Sequence, residues 1–310
     1  MSSTLLAACA GGILFAAPFV FPALFPLAWV SLLPLLWAIG RASGPRQAFF
    51  SGWLTGLSAN LAGFHWLTYT ISIFGGFSYT VSGFIFLVFA AGAGLLFALF
   101  ALAVRLCGFG PLYLFPPLFW VAAEFLFPQL FPWHFANSQS RFLTFIQSAD
   151  LVGPYGTSFL LVWCNALLFH WLFARKRARP ITYLPATVFA AVVFVILAYG
   201  SFRLSTVTAQ MQAAPKLSLS AIQGNIDIGL KWNPDQARNN LNLYHELTRK
   251  SEDASLVVWP ETAIEVWLPD DITQLPPDLL PLFHSATRFF IFGVRSFRGE
   301  PGRPDFRAFN

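Results

Sequence analysis

Seven runs of apolar residues punctuate the chain, at about 5–17, 23–40, 48–70, 80–104, 111–127, 155–174 and 183–201. A helix needs about 20 apolar residues to cross a bilayer, so each run predicts a membrane span. The first and fifth runs are short for this and are read as tilted, partly interfacial, or extended across their prolines. Ala90, Gly92, Ala93 and Gly94 in the fourth run would let a neighbouring helix approach closely. Beyond Arg203 the pattern changes. Leu217-Ser218-Leu219-Ser220-Ala221-Ile222 alternates with period two, as a strand does. A loop with Gly224 and Gly229 follows over 223–232. Asn233-Pro234-Asp235 then opens a helix, Asn233 serving as N-cap and Pro234 sitting in the first turn. That helix runs to about Lys250, with Leu241, Tyr244 and Leu247 on one face. A strand over 255–260, a helix over 278–288 and a strand over 289–294 complete the pattern. It predicts a polytopic α-helical membrane domain of about seven spans over 1–203, followed by an α/β domain over 217–310.

Composition sharpens the contrast between the two parts. Hydrophobic residues make up 56% of the chain and charged residues only 11%, against about 25% charged in soluble domains. Before Arg203 the only acids are Glu124 and Asp150. The net charge of +5 sits largely in short loops between apolar runs, so it argues for membrane topology and gives no nucleic-acid partner. Arg41 and Arg46 follow the second run, Arg105 the fourth, and Arg175, Lys176, Arg177 and Arg179 the sixth; the alternate loops hold only Arg141. Cytoplasmic loops carry the Lys/Arg excess. The N-terminus is therefore expected in the cytoplasm and the region after Arg203 outside, which for a bacterial inner membrane is the periplasm. Cys9, Cys107 and Cys164 all lie in apolar runs with no disulfide or metal-ligand spacing, so neither a metal nor a cofactor is expected. Leu6-Ala7-Ala8-Cys9 mimics a lipoprotein cleavage box, but no basic n-region or long apolar run precedes it.

Polar residues inside the apolar part stand out. Glu124 sits among Trp120, Val121, Ala122 and Phe125. Placing an ionisable group at membrane depth costs roughly 2.5–3.5 kcal/mol, so it must face the protein interior or the interface. A hydrogen bond within the helix bundle is the plainer reading, a proton relay the sharper one. The segment 127–134 is too rich in proline for a continuing helix and reads as an interfacial aromatic belt. His65-Trp66 reads as an interfacial anchor.

The chemistry concentrates in Leu256-Val257-Val258-Trp259-Pro260-Glu261-Thr262-Ala263. Three apolar residues form a short buried strand, which Pro260 must end because it cannot donate to a ladder. Glu261 would then stand at the C-terminal edge of a sheet, where α/β proteins place their chemistry. Close to Trp259 and Val258 it would be partly desolvated and suited to general-base work. The alternative is a solvated loop glutamate.

Three motifs in order, Ala221-Ile222-Gln223-Gly224-Asn225-Ile226, Lys231-Trp232-Asn233-Pro234 and Trp259-Pro260-Glu261-Thr262-Ala263-Ile264, resemble one branch of the nitrilase superfamily, the apolipoprotein N-acyltransferases. The Phe131-Pro132-Trp133 segment, with Ser138-Gln139 and Gln147-Ser148-Ala149-Asp150-Leu151-Val152-Gly153 after it, is similar to the family's external loop. Leu130 stands where the family usually has glycine, and Phe127 where it usually has arginine. The resemblance implies that the α/β region is part of a nitrilase-like αββα domain. It implies ping-pong chemistry: a cysteine thiolate attacks a phospholipid ester, and the resulting thioester passes its acyl group to the diacylglyceryl-cysteine amine of an apolipoprotein. Glu261 would be the base of a Glu-Lys-Cys triad, and Trp232 a lipid-facing, substrate-binding aromatic or else a packing residue under the helix at Pro234. The partners implied are a phospholipid donor, an apolipoprotein acceptor and the membrane. No cysteine follows Cys164, and Lys216, Lys231 and Lys250 all precede the base, out of the family's order. The chain is thus expected to cover roughly the first three-fifths of such an enzyme, to end inside its catalytic domain, and to be inactive alone. A membrane-tethered amidase or nitrilase using water, and a non-catalytic lipid-binding remnant, are the competing readings.

Overall fold

The computed structural model describes residues 2–131, 133–174, 183–231, 233–251, 253–261, 263–274, 289–299 and 306–309. They divide into two compact units, Met1–Gln212 and Ala213–Asn310.

The first unit is helical: α1 (Ser2–Val20), a 3-10 stretch (Pro22–Trp29), α2 (Leu33–Arg41), α3 (Pro45–Gly63), α4 (Leu67–Gly75), α5 (Tyr79–Ala93), α6 (Leu95–Cys107), α7 (Phe115–Leu126), a 3-10 turn (Phe135–Gln139), α8 (Leu143–Ile146), α9 (Ala149–Ala174) and α10 (Leu184–Ala213). All seven apolar runs fall on helix. Among the described residues five stretches are long and apolar enough to cross a bilayer: Ser3–Val20, Pro22–Arg41, Tyr79–Cys107, Ala149–Phe173 and Leu184–Ala213. The two others differ for physical reasons. α7 has 12 residues, or about 18 Å of helix, well under the hydrocarbon thickness. α3 buries Ala48, Ser51, Gly52, Thr55, Gly56, Ala59 and Asn60. Its small face admits a neighbour: a Cβ at Gly56 would come within 2.6 Å of the Gly94 carbonyl oxygen. Its polar groups bond back along the helix, Thr55 Oγ1 to Ser51 O at 2.9 Å and Asn60 Nδ2 to Gly56 O at 2.8 Å. The basic run Arg175–Arg179, on which part of the expected orientation rests, lies outside the described residues.

The core of this unit gathers Phe15, Leu35, Leu36, Phe97, Phe100, Trp120, Phe135 and Leu161. Trp120 sits at its centre, edge-on to Phe97 and Phe100 with ring centroids 5.1 Å away in both pairs. The break before α2 exposes backbone groups that apolar surroundings would penalise. Asn165 of α9 satisfies two of them, accepting from Leu32 N at 2.9 Å and donating to Ala28 O at 3.0 Å.

The second unit holds β1 (Leu219–Ala221), α11 (Ile228–Lys231), a 3-10 turn (Pro234–Gln236), α12 (Ala237–Arg249), β2 (Leu256–Val258), β3 (Ile264–Pro269), β4 (Phe289–Ile291), β5 (Val294–Arg298) and β6 (Arg307–Phe309). β1, β2 and β4 form one sheet, all parallel. β3, β5 and β6 form a second, with β3 parallel to β5 and β6 antiparallel. The chain crosses from the first sheet to the second twice, over 259–263 and over 292–293. The strand expected over 289–294 is therefore two strands, parted at Phe292-Gly293, and β3 and β6 were not among the strands read from the pattern. The helix expected over 278–288 lies outside the described residues. Ile222, Tyr244, Val257, Trp259, Ala263, Ile264 and Leu268 make up the core of this unit.

Candidate active site

In the second unit the site is built by the ends of parallel strands. Val257 is fully buried at the centre of β2. Past β2 the ladder continues one step, Trp259 N donating to Ile291 O at 2.9 Å. Pro260 then ends it, as its missing N–H requires. Glu261 follows on an exposed turn beyond the C-terminal ends of β1, β2 and β4. Trp259 turns away from that exposed turn. The indole turns into the core, where Nε1 donates to Thr248 Oγ1 of α12 at 2.9 Å and the ring stacks on Tyr244 with centroids 5.2 Å apart. The tryptophan anchors the strand end, and the glutamate is presented to solvent.

The loop before α12 approaches the same edge. Ile222 N donates to Val258 O at 2.8 Å. Gly224 passes against Tyr244, where a Cβ would lie 3.0 Å from the ring, and Asn225 takes the left-handed conformation, φ 49°, which asparagine tolerates better than most residues. Asp227 Oδ1 accepts from Gly229 N at 2.8 Å, and its carbonyl accepts from Lys231 N at 2.9 Å. Asn233 Oδ1 accepts from Asp235 N at 3.0 Å and heads the 3-10 turn Pro234–Gln236; the α-helix expected to open there begins at Ala237, with Gln236 as its N-cap. Shaped by these bonds, the loop brings Lys231 Nζ within 3.3 Å of the Glu261 carbonyl oxygen. Two motifs thirty residues apart in sequence meet there. Thr248 carried no site signal in the sequence, and Lys231, part of the Lys-Trp-Asn-Pro motif, was out of order for the family's lysine; each acts through a partner that only the fold supplies. Trp232 and Thr262 lie outside the described residues.

In the first unit Glu124 is 3% exposed. Its Oε1 accepts from Trp120 Nε1 at 2.7 Å, Phe135 N at 2.8 Å and Ser158 Oγ at 3.2 Å. This is the bundle hydrogen bond expected of a buried carboxylate, multiplied by three. The aromatic loop departs from the belt reading: Phe131 stacks on Phe64 at 6.2 Å, and Trp133 meets Phe15 at 6.0 Å and Phe19 at 5.8 Å, edge-on in both contacts. Both rings pack inward on other helices. Trp133, Phe15, Phe19, Phe64, Trp66, Phe97 and Asn60 line an apolar cavity of about 250 Å³. His65 is exposed, its Nδ1 3.0 Å from Ala62 O.

Residues 11–167, within the first unit, match the family model for the apolipoprotein N-acyltransferase N-terminal domain. The chain belongs to the apolipoprotein N-acyltransferase family. Relatives named apolipoprotein N-acyltransferase extend the likeness past Glu261's unit boundary. The protein from Geobacter metallireducens is 34% identical over 86% of this chain and 52% of its own length. That from Pseudomonas syringae is 33% identical over 84% of this chain and 52% of its own length, and that from Coxiella burnetii 29% identical over 86% and 54%. The chain spans about half the length of the curated relatives it matches.

Proposed function

We propose that this chain supplies the membrane platform and the general-base strand of a phospholipid-dependent N-acyltransferase acting on the diacylglyceryl-cysteine of apolipoproteins. The observation that carries the reading is the meeting of the Lys231 loop with the Glu261 turn at the C-terminal edge of a parallel sheet. An exposed carboxylate at that edge is accessible to a thiol and would take its proton, the requirement for making a nucleophile at neutral pH. The thiolate sulfur then attacks the phospholipid ester carbon, the lysolipid oxygen leaves with a proton, and the acyl thioester passes its acyl group to the acceptor amine, restoring the thiol. The cysteine and its companion lysine belong, in this reading, to polypeptide outside these residues, because the family's order places both after the base and no cysteine follows Cys164.

The apolar cavity of the first unit suits an acyl tail, because aromatic walls offer contact area and almost no competing polar groups. Trp232 is assigned to the lipid-facing side of the Lys-Trp-Asn-Pro loop. The two three-stranded sheets with α12 are taken as part of an αββα nitrilase-like domain, and the seven apolar runs as crossing or entering a bacterial inner membrane, with the second unit periplasmic.

The test uses the complete polypeptide that carries these residues, reconstituted with a fluorescent-tailed phospholipid and a diacylglyceryl-cysteine peptide. N-acylated peptide together with a hydroxylamine-sensitive acyl-enzyme is expected. Release of free fatty acid alone would make the protein a hydrolase, and no acyl transfer of any kind would make it a lipid-binding remnant.

A further inference from the structure

The Glu124 carboxylate has a second oxygen, and it faces a histidine. Oε1 carries three donors, whereas Oε2 has no hydrogen-bond partner; 3.6 Å from it lies His134 Nδ1, which also has none. Both atoms are buried. At 3.6 Å the contact is too long for a hydrogen bond as it stands. A carboxylate can only accept, so the contact becomes attractive only when Nδ1 carries a proton. A second proton on Nε2 turns it into an ion pair in surroundings of low dielectric, where the attraction is far stronger than in water. The titratable side chains the ring meets are Glu124 on α7 and Tyr155 on α9, the latter edge-on at 4.9 Å. The Glu124 side chain is fully buried and that of His134 is 17% exposed, so the imidazole is the member that solvent reaches.

The backbone next to this ring is gripped by the same carboxylate, through Phe135 N. On the other side of His134 stands Trp133, whose indole packs edge-on against Phe15 and Phe19 of α1 and walls the apolar cavity. We propose that Glu124 and His134 form a proton-dependent latch that seats Trp133 in the cavity wall. His134 is a positioning residue: protonation draws the ring onto Glu124 Oε2 and holds the neighbouring indole in place, and loss of the proton loosens it. The inference concerns the cavity itself and stands whether or not the chain takes part in acyl transfer.

Hydrogen exchange of the backbone over 127–140, in lipid nanodiscs and corrected for intrinsic chemical exchange, tests it. From about pH 8 to about pH 5.5, the range in which imidazole changes charge, exchange should slow about tenfold or more, the scale of a hydrogen bond gained to a charged group. His134→Gln keeps a donor but cannot titrate, so its protection should not vary with pH. Glu124→Gln keeps the Oε1 acceptor and should also lose the pH dependence, with exchange in α9 unchanged. A parent protein whose exchange over 127–140 does not vary with pH overturns the proposal. So does a His134→Gln variant that retains the variation, a result that stands even if Glu124→Gln fails to fold.

Discussion

The two units each display one carboxylate at a decisive place, and they use it in opposite ways. Glu124 is buried and gathers an indole, a backbone amide and a hydroxyl around one oxygen. In an apolar medium each of those donors would otherwise be unpaired, so the carboxyl group organises α7, α9 and the turn after Trp133. Glu261 is exposed on a turn, and the bond drawn to it from Lys231 ends on its backbone carbonyl. The first carboxylate is buried in a network of donors, and the second is exposed at a strand end.

The largest effect that could break this comparison is on activity. In the complete polypeptide, Glu261→Gln should slow formation of the acyl-enzyme by about 10²–10⁴-fold, the usual worth of general-base assistance, with the unfolding midpoint unchanged. Single-turnover measurement with labelled phospholipid reads the first half-reaction directly. A rate within about threefold of the parent, far inside that range, would return Glu261 to the role of a solvated loop glutamate. The converse holds for the other carboxylate. Glu124→Leu strands three donors at about 1–3 kcal/mol apiece, so stability should fall by about 3 kcal/mol or more. Denaturant unfolding in detergent, followed by the yield of folded monomer, measures it; a midpoint equal to the parent's would mean the network is decorative.

What the sequence made legible follows the reach of each signal. The apolar runs fall on the longer helices of the first unit but miss α8 and the 3-10 turn Phe135–Gln139, and Asn233 was recognisable as the head of the turn before α12 because its partner, Asp235 N, is two residues away. Pro260 ends β2 for a reason local to its own ring. Signals that depend on distant partners were not legible. The run 48–70 reads as one span, yet it is α3 and α4 parted after Gly63, and α3 is buried through small residues that hydrophobicity undervalues. Phe131 and Trp133 sit in a loop without periodicity, so nothing local tells whether they face lipid or protein. β3 did leave a trace: Ile264 and Leu268 are buried and Trp267 is exposed, as period two requires, but the run ends in Pro269 beside a catalytic-looking motif. In the site itself, the position of Glu261 followed from Pro260, while its exposure depended on where Trp259 turned. That was decided by Thr248, eleven residues upstream on α12.

Thr248 offers the intermediate test. Thr248→Val keeps the shape of the side chain but removes the hydroxyl that accepts from Trp259 Nε1, which should cost the second unit about 1–2 kcal/mol. Because Trp259 fixes the end of β2, acyl-enzyme formation should fall with it, though far less than in Glu261→Gln. A variant that loses stability while keeping the parent's rate would show that the turn holds its geometry without the indole anchor.

The smallest effect belongs to a third carboxylate, Glu246, on the outer face of α12. It pairs with Lys250 one turn on, at 2.9 Å, with both side chains about two-thirds exposed. The hydrogen bond from Lys250, reinforced by its charge, lowers the carboxyl below its usual range. A carboxyl depressed in the folded state stabilises above its unfolded titration, and that contribution disappears as pH falls through the folded one. The window is therefore acidic, below about pH 4. Solvent and salt screen such a pair, and the entropy of holding two long side chains opposes it. Glu246→Gln should leave the unfolding midpoint at neutral pH and physiological salt within experimental scatter. Any difference visible at low salt should vanish both in molar salt and under acid conditions. Parallel melts of the two proteins across salt and pH decide the point. A neutral-pH loss as large as that of Thr248→Val would mean that burial is not what separates structural carboxylates from the rest in this chain, and the contrast between Glu124 and Glu261 would need another cause.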